Sequence, residues 1–533
     1  MKNPFRKNDK VTTRRKLSRT HLASFAVAFA MIGVVTLALT SASSPFASVQ
    51  PENALLAGCV EQVTDTNAAN GKAVRFGGAS CDPAPQPPPT NSESFSKIYI
   101  VDVNNGSAND SNPGTADRPL KSITKAVQLV KAGEAVQVKA GTYTSQDILL
   151  QSSGTKDKPI VISAFPGDEQ KVIVTGGKGI RTLRAGNFVI RGFKVVDVTG
   201  QGIYVVGGNH MNDPIVENIV IENNWTVRSC SSGISVWGTP HGIDPGDYQN
   251  IRNVKILNNR VESANHSCAN EYITVTNGVN NVETAYNVLY QNGPDINDNG
   301  DEGVDYKAGV DGGSIHHNKL YDMLDNAIYI DGGRMTIYDK RTVLPYVKNI
   351  DIYANEIYNS DQGGIVMVNE GQAYTENINV YNNLIYNVRR NGLSVYNHYK
   401  GVGVSSMNNI KFVNNTVVKS GFGSDASGDE YWAGIGIDHP DATNILVRNN
   451  IVWGNASKDI RFNNGTKTTI DHNLCRESFC ETKVDPQFSN AAYELKSTSP
   501  AINKGVSNGA PSKDYKDVAR PQGGTFDLGA YER

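Results

Sequence analysis

The sequence predicts an all-β protein, a single-stranded right-handed parallel β-helix with an N-terminal capping helix, and three observations carry that expectation. A double-Asn motif between two short apolar runs recurs along the chain at uneven steps of 23 to 37 residues. The composition, with 51 Gly, 23 Tyr and 8% aromatic residues, suits many short strands joined by tight turns. One amphipathic helix precedes the repeats, where a coil of strands needs its open edge covered.

From the N-terminus, Lys2, Arg6, Lys7, Lys10, Arg14, Arg15, Lys16 and Arg19 precede the apolar run Leu22 to Leu39 and the small residues Ser41 to Ser44. That order is expected of an export signal over residues 1–47, cleaved after Ala42 or Ala47, or of an uncleaved anchor. Both readings put the body outside the cell, secreted or on its surface, and a membrane enters only through the anchor. Residues 48–81 read as a short appendage flanked by Cys59 and Cys81. Residues 82–96, with Pro83, Pro85 and Pro87 to Pro89, read as an extended linker. Six cysteines in an exported chain imply three disulfides, expected locally as Cys59 with Cys81, Cys230 with Cys268 and Cys475 with Cys480.

Residues 97–485 are expected to form the β-helix and 486–533 an end segment. The helix begins near Ser122 and is followed by a strand. The repeats then run NIVIENNWTV, NVKILNNRVE, NIDIYANEIY, NINVYNNLIY, NIKFVNNTVV and NILVRNNIVW. Their second Asn falls at Asn224, Asn259, Asn355, Asn383, Asn415 and Asn450, with weaker copies at Asn287, Asn318 and Asn473. So short and variable a period, built from strands, signals a coiled solenoid. An amide stacked one rung above its counterpart can satisfy the polar groups of the turn, so the Asn ladder is read as structural.

The run YIVDVNNGSANDSNPGTADRPLKSITKAV at Tyr99 to Val127, followed by the Asn-rich rungs, resembles bacterial β-helix proteins of the pectin-lyase-like superfamily. The tail, with VDPQFSN, SPAINKG and RPQGGTFDLGAYE, looks like the end segment such proteins often carry. The resemblance covers Lys97 to Arg533. It implies the fold; the superfamily hosts lyases, hydrolases, epimerases and non-enzymatic adhesins, so activity must be argued from the site.

Lys plus Arg total 51 against 53 for Asp plus Glu, which leaves no global field for nucleic acid. No Gly-x-Ser-x-Gly elbow, P-loop or dinucleotide fingerprint appears. His210, His241, His316 and His317 lack a metal-ligand spacing. A polysaccharide is the expected partner of an otherwise monomeric chain.

Because side chains alternate along a strand and rungs stack ~4.8 Å apart, aligned rungs can be read as columns. One outward column runs Trp237, Thr276, Lys307, Asp331, Val368, Tyr396 and Asp438. A second runs Ser235, Thr274, Asp305, Tyr329, Val366, Ser394 and Gly436. Glu370 and His398 lie just beyond the strand ends. Titratable groups among aromatics suit a glycan groove, with Trp237, Tyr329, Tyr396, His398 and Arg334 as binding residues. The motifs DEGVDYKAG, AIYIDGG and VMVNEG look like a set in carbohydrate-active β-helix proteins, which implies Asp331 and Glu370 as working carboxylates.

Two mechanisms follow. In calcium-assisted β-elimination, the leading expectation, Lys307 is the base, its pKa lowered by burial or cationic neighbours. Calcium would sit in the loop DINDNGDEGVDY, on Asp295, Asn297, Asn299 and Asp301, with Asp305 and Glu302 completing the shell; the twelfth position is Tyr306 rather than the usual Glu. In hydrolysis, Asp331 is nucleophile or base and Glu370 the acid. A non-enzymatic glycan-binding or adhesin solenoid is the alternative to both.

Overall fold

A computed structural model describes residues 94–208, 213–239, 250–293, 300–333, 345–397, 406–423, 432–463 and 467–533, and the strand backbones 60–64, 72–76, 336–338 and 341–343. Contacts divide the chain into two units, Met1–Cys81 and Asp82–Arg533. In the first, Val60–Thr64 pairs antiparallel with Lys72–Phe76. Cys59, Cys81 and the apolar run 22–39 lie outside the described residues; among those described, no helix is long and apolar enough to cross a membrane.

The second unit is a parallel β-helix of three sheets. The first sheet has 13 strands, from Lys97–Val101 to Thr468–Asp471; the second has 11, from Gly141–Thr144 to Ile451–Trp453; the third has 11, from Ile148–Leu150 to Lys458–Phe462. Each turn of the coil adds one strand to each sheet. Inward aliphatic side chains stack in register: Ile234, Ile273, Val304, Ile328, Ile365, Leu393 and Ile435 follow one another, all buried. Columns of like side chains fill the interior, and apolar burial is what stabilises the coil.

The helix α1, Ile123–Leu129, closes the N-terminal end. The Ser122 hydroxyl caps it by accepting from the Lys125 N–H at 3.1 Å, and Ile123, Ala126 and Val127 are buried against the first rungs. Capping satisfies a helix N–H that has no partner within the helix.

The double-Asn motif divides its labour between its two residues. The residue before each ladder Asn is left-handed: Asn223, Asn258, Tyr286, His317, Ala354, Asn382, Asn414, Asn449 and His472 have φ between 51° and 58°. Asn tolerates that conformation better than most residues. The second Asn is buried and bonds to the next rung without a break from Asn224 to Asn473, with amide-to-amide distances of 2.9–3.1 Å. Two features lay outside the sequence reading. A further, more exposed ladder joins Asn187, Asn218, Asn253 and Asn281, each left-handed. On the second sheet Tyr290, Tyr321, Tyr358 and Tyr386 stack nearly parallel with centroids 5.0–5.2 Å apart.

The end segment folds back along the coil. Asn382 donates to the Lys513 carbonyl at 2.6 Å and Asn414 to the Asp527 carbonyl at 2.9 Å. Arg520 and Glu532 form a fully buried ion pair at 2.7 Å. Cys230–Cys268 and Cys475–Cys480 are disulfides, as expected.

Candidate active-site cleft

The outer face of the third sheet carries both expected columns. Backbone pairing places Trp237 beside Thr276, Thr276 beside Lys307, Lys307 beside Asp331, Asp331 beside Val368 and Val368 beside Tyr396. Ser235, Thr274, Asp305, Tyr329, Val366, Ser394 and Gly436 follow in the other. His398, Arg334, Asp295, Asn297 and Asn299 lie outside the described residues.

Against this wall opens a cavity of about 380 Å³, lined by Glu302, Asp325, Tyr329, Glu370, Arg390, Tyr396 and Trp432 among others. Its second side comes from the turn that leads into each third-sheet strand. Four residues before the column of Asp305, Tyr329, Val366, Ser394 and Gly436 stand Asp301, Asp325, Gln362, Arg390 and Trp432. Arg390 lies 4.9 Å from the Trp432 ring centroid. Trp237, two rungs from Lys307, is not among the cavity's lining residues.

Burial sets the electrostatics. It pushes the Glu302 carboxyl up to about 8, with the nearby charges of Asp325 and Glu271 adding to the shift. Burial likewise raises Asp325 to about 6. Asp331, 2% exposed, is raised to about 6 by burial and then by Glu370. One Asp331 oxygen accepts the N–H groups of Gly333 at 2.8 Å and of Glu370 at 3.0 Å, so it braces the loop that carries Glu370. The Tyr329 hydroxyl donates to Glu370 Oε1 at 3.3 Å.

Lys307 differs from its expectation. Burial alone would lower its pKa, but the charges of Asp305 and then Glu271 outweigh that and hold it well above the usual lysine range. Its ammonium pairs with Asp305 Oδ2 at 2.5 Å and with Glu271 Oε1. A lysine so held is a cation at neutral pH and no ready base. Asp305 is fully buried, and its Oδ1 has no hydrogen-bond partner among the described residues.

Calcium takes ~6–8 oxygen ligands. Among the described residues no group of three His, Cys, Asp or Glu side chains is placed to hold a metal ion. Asp301 accepts from Asn265 at 3.0 Å, and Lys307 stands between the Glu271 and Asp305 carboxylates. The described residues, as arranged, do not fit a calcium cage.

A family model described as a protein of unknown function, DUF1565, matches residues 106–149, the capping helix and first rungs. The uncharacterized protein YwoF of Bacillus subtilis is 23% identical over 321 residues, 51% of this chain and 64% of that protein. The pectate lyase PEL9 of Emericella nidulans is 40% identical over 68 residues, 13% of this chain and 16% of that enzyme. The chain thus spans less than two thirds of either relative. Among solved structures, pectate lyase Pel9A is 15% identical over 83% of this chain and 98% of its own, with a TM-score of 0.47. XylC, in complex with xylose, is 11% identical over 81% and 98%, with a TM-score of 0.48. The chain is a parallel β-helix. Its interior is filled with side chains, which leaves the outer wall accessible to a ligand.

Proposed function

We propose that this protein cleaves glycosidic bonds of an extracellular polysaccharide in the cleft over its third sheet. The observation that carries the reading is one cavity holding three carboxyl residues, Glu302, Asp325 and Glu370, beside Tyr329, Tyr396 and Trp432. Aromatic faces with a few convergent polar groups suit a sugar ring, and carboxyl groups with pKa values pushed apart by their surroundings suit acid–base work. Glu302, protonated at neutral pH, is the proton donor to the leaving oxygen; Glu370, oriented by Tyr329 and by the Asp331 brace, faces the sugar as base or nucleophile. The two disulfides suit an exported protein.

A second reading, β-elimination from a uronate polymer, is favoured by the short match to a pectate lyase and by Arg390 in the cleft, where a guanidinium can neutralise a uronate carboxylate.

The test incubates the full chain with a panel of uronate and neutral polysaccharides, with and without chelator, following reducing ends and the ultraviolet absorbance of unsaturated uronates. Reducing ends without absorbance, lost in Glu302→Gln and Glu370→Gln, is the expected result. Absorbance that grows with cleavage would establish elimination instead. Silence in both channels, with retained binding to a polysaccharide, would leave a glycan-binding solenoid.

A further inference from the structure

In this molecule the place between Glu271 and Asp305 is taken by a side chain. Both carboxyl groups are nearly or wholly buried, at 5% and 0% exposure, and the Lys307 ammonium contacts each. Glu271 is further fixed by a chain of hydroxyls, since Thr274 donates to its Oε2 at 2.6 Å and exchanges a 2.8 Å hydrogen bond with Ser232. Glu302 adds a third carboxyl group within electrostatic reach of the same cluster. Taking two carboxylates out of water is costly unless a cation and hydrogen bonds compensate them. The donors there are all hard oxygens, the kind a divalent cation prefers. Lys307 is fixed on the same strand as Asp305, two residues on, so both point outward and the amine can reach back over its neighbour. Its side chain as a whole remains 27% exposed, on the wall beside Asp331.

We propose that Lys307 is a built-in cation: it supplies at this wall the fixed positive charge that a bound divalent ion would otherwise supply, and its removal turns Glu271 and Asp305 into a divalent-cation site. The wild-type wall then needs no metal, and Lys307 acts as a positioning residue that holds the carboxylates and presents a positive charge to an acidic or hydroxyl-rich ligand. This inference takes from the proposed function only the location of the cleft. Its test reads metal binding and melting, not turnover, so it can fail while the cleft proves catalytic, and the reverse.

The probe is calcium alone, added to the full-length chain after stripping with chelator. Three proteins are compared by thermal melting and titration calorimetry: wild type, Lys307→Ala, and Lys307→Ala with Asp305→Asn. Wild type should melt at the same temperature in chelator and in millimolar calcium. Lys307→Ala should melt lower than wild type in chelator and recover several degrees in calcium, and the added Asp305→Asn should abolish that recovery. A Lys307→Ala protein that folds only with calcium would support the proposal equally. A folded Lys307→Ala protein indifferent to calcium would overturn it. Should that variant fold under neither condition, the wild type and Asp305→Asn decide: calcium binding by wild type that Asp305→Asn removes refutes a built-in cation, and its absence upholds one.

Discussion

Two polar columns run along the same coil, and they are treated in opposite ways. The Asn ladder, buried between the first two sheets, repeats one residue type over nine rungs, and every amide finds the next. The wall of the third sheet repeats nothing from Asp305 to Tyr329 to Val366, and it gathers carboxyls whose charges oppose one another. A buried polar group is stable when its neighbour one rung away is its complement. Where the repeat is broken, the cost of burying charge is retained, and chemistry becomes available.

The largest expected effect breaks the wall alone. Glu370→Gln should lower cleavage by ~10²–10⁴-fold, the range for loss of an acid–base group, with an unfolding midpoint close to wild type. A comparable collapse in stability would show that Glu370 holds the fold rather than the reaction. Breaking a satisfied buried pair should do the reverse. Arg520→Ala strands Glu532 in the end segment, which should cost ~3–5 kcal/mol in denaturant unfolding while leaving the cleft intact. In the ladder, Asn355→Ala removes the side chain that donates to the Ile315 carbonyl and to Asn383 and accepts from Asn318. With ~1–3 kcal/mol for each group left unpaired, a loss of about 3 kcal/mol should appear in the same measurement.

The pH dependence sharpens the contrast. The Glu302 carboxyl rises from 4.5 to about 8 on folding, so the native state binds the extra proton between those values. Stability must therefore fall as pH rises through that window. Glu302→Gln should flatten this decline, gaining on the order of 4 kcal/mol relative to wild type near pH 8 and little near pH 4.5; parallel curves would contradict the assigned burial. Cleavage by wild type should also fall as pH passes about 8, when the proton donor is lost. The smallest effect belongs to the tyrosine stack. Tyr358→Leu keeps an apolar side chain but removes two ring contacts, and should cost about 1 kcal/mol.

The repeat made the fold legible. Nine Asn positions of the repeat fall on one unbroken ladder, and both outward columns keep their register from Ser235 to Gly436. The cleft was legible in part. Glu302, Tyr329, Glu370 and Tyr396 line it and were named from the sequence, whereas Asp325 and Trp432 in its lining, and Glu271 beside Lys307, went unread because the columns stopped at the strand edge. Carrying the same alignment four residues upstream would have found Asp325, Arg390 and Trp432. The state of Lys307 could not be read so, since its charge depends on Glu271, 36 residues away and one rung below.

The end segment has a mechanical consequence. A rung at the tip of a solenoid touches one neighbour and is the natural place for peeling to begin. Here the last residues return to rungs more than a hundred positions earlier, at Asn382, Asn414 and Thr416. A pull on the C-terminus is therefore shared between the terminal rungs, at Asn449 and Ile451, and rungs further back, through the Arg520–Glu532 pair and the carbonyls clamped by the Asn side chains. Like a seatbelt buckled across several rows, the tail shares one load among rungs that the coil alone would surrender singly.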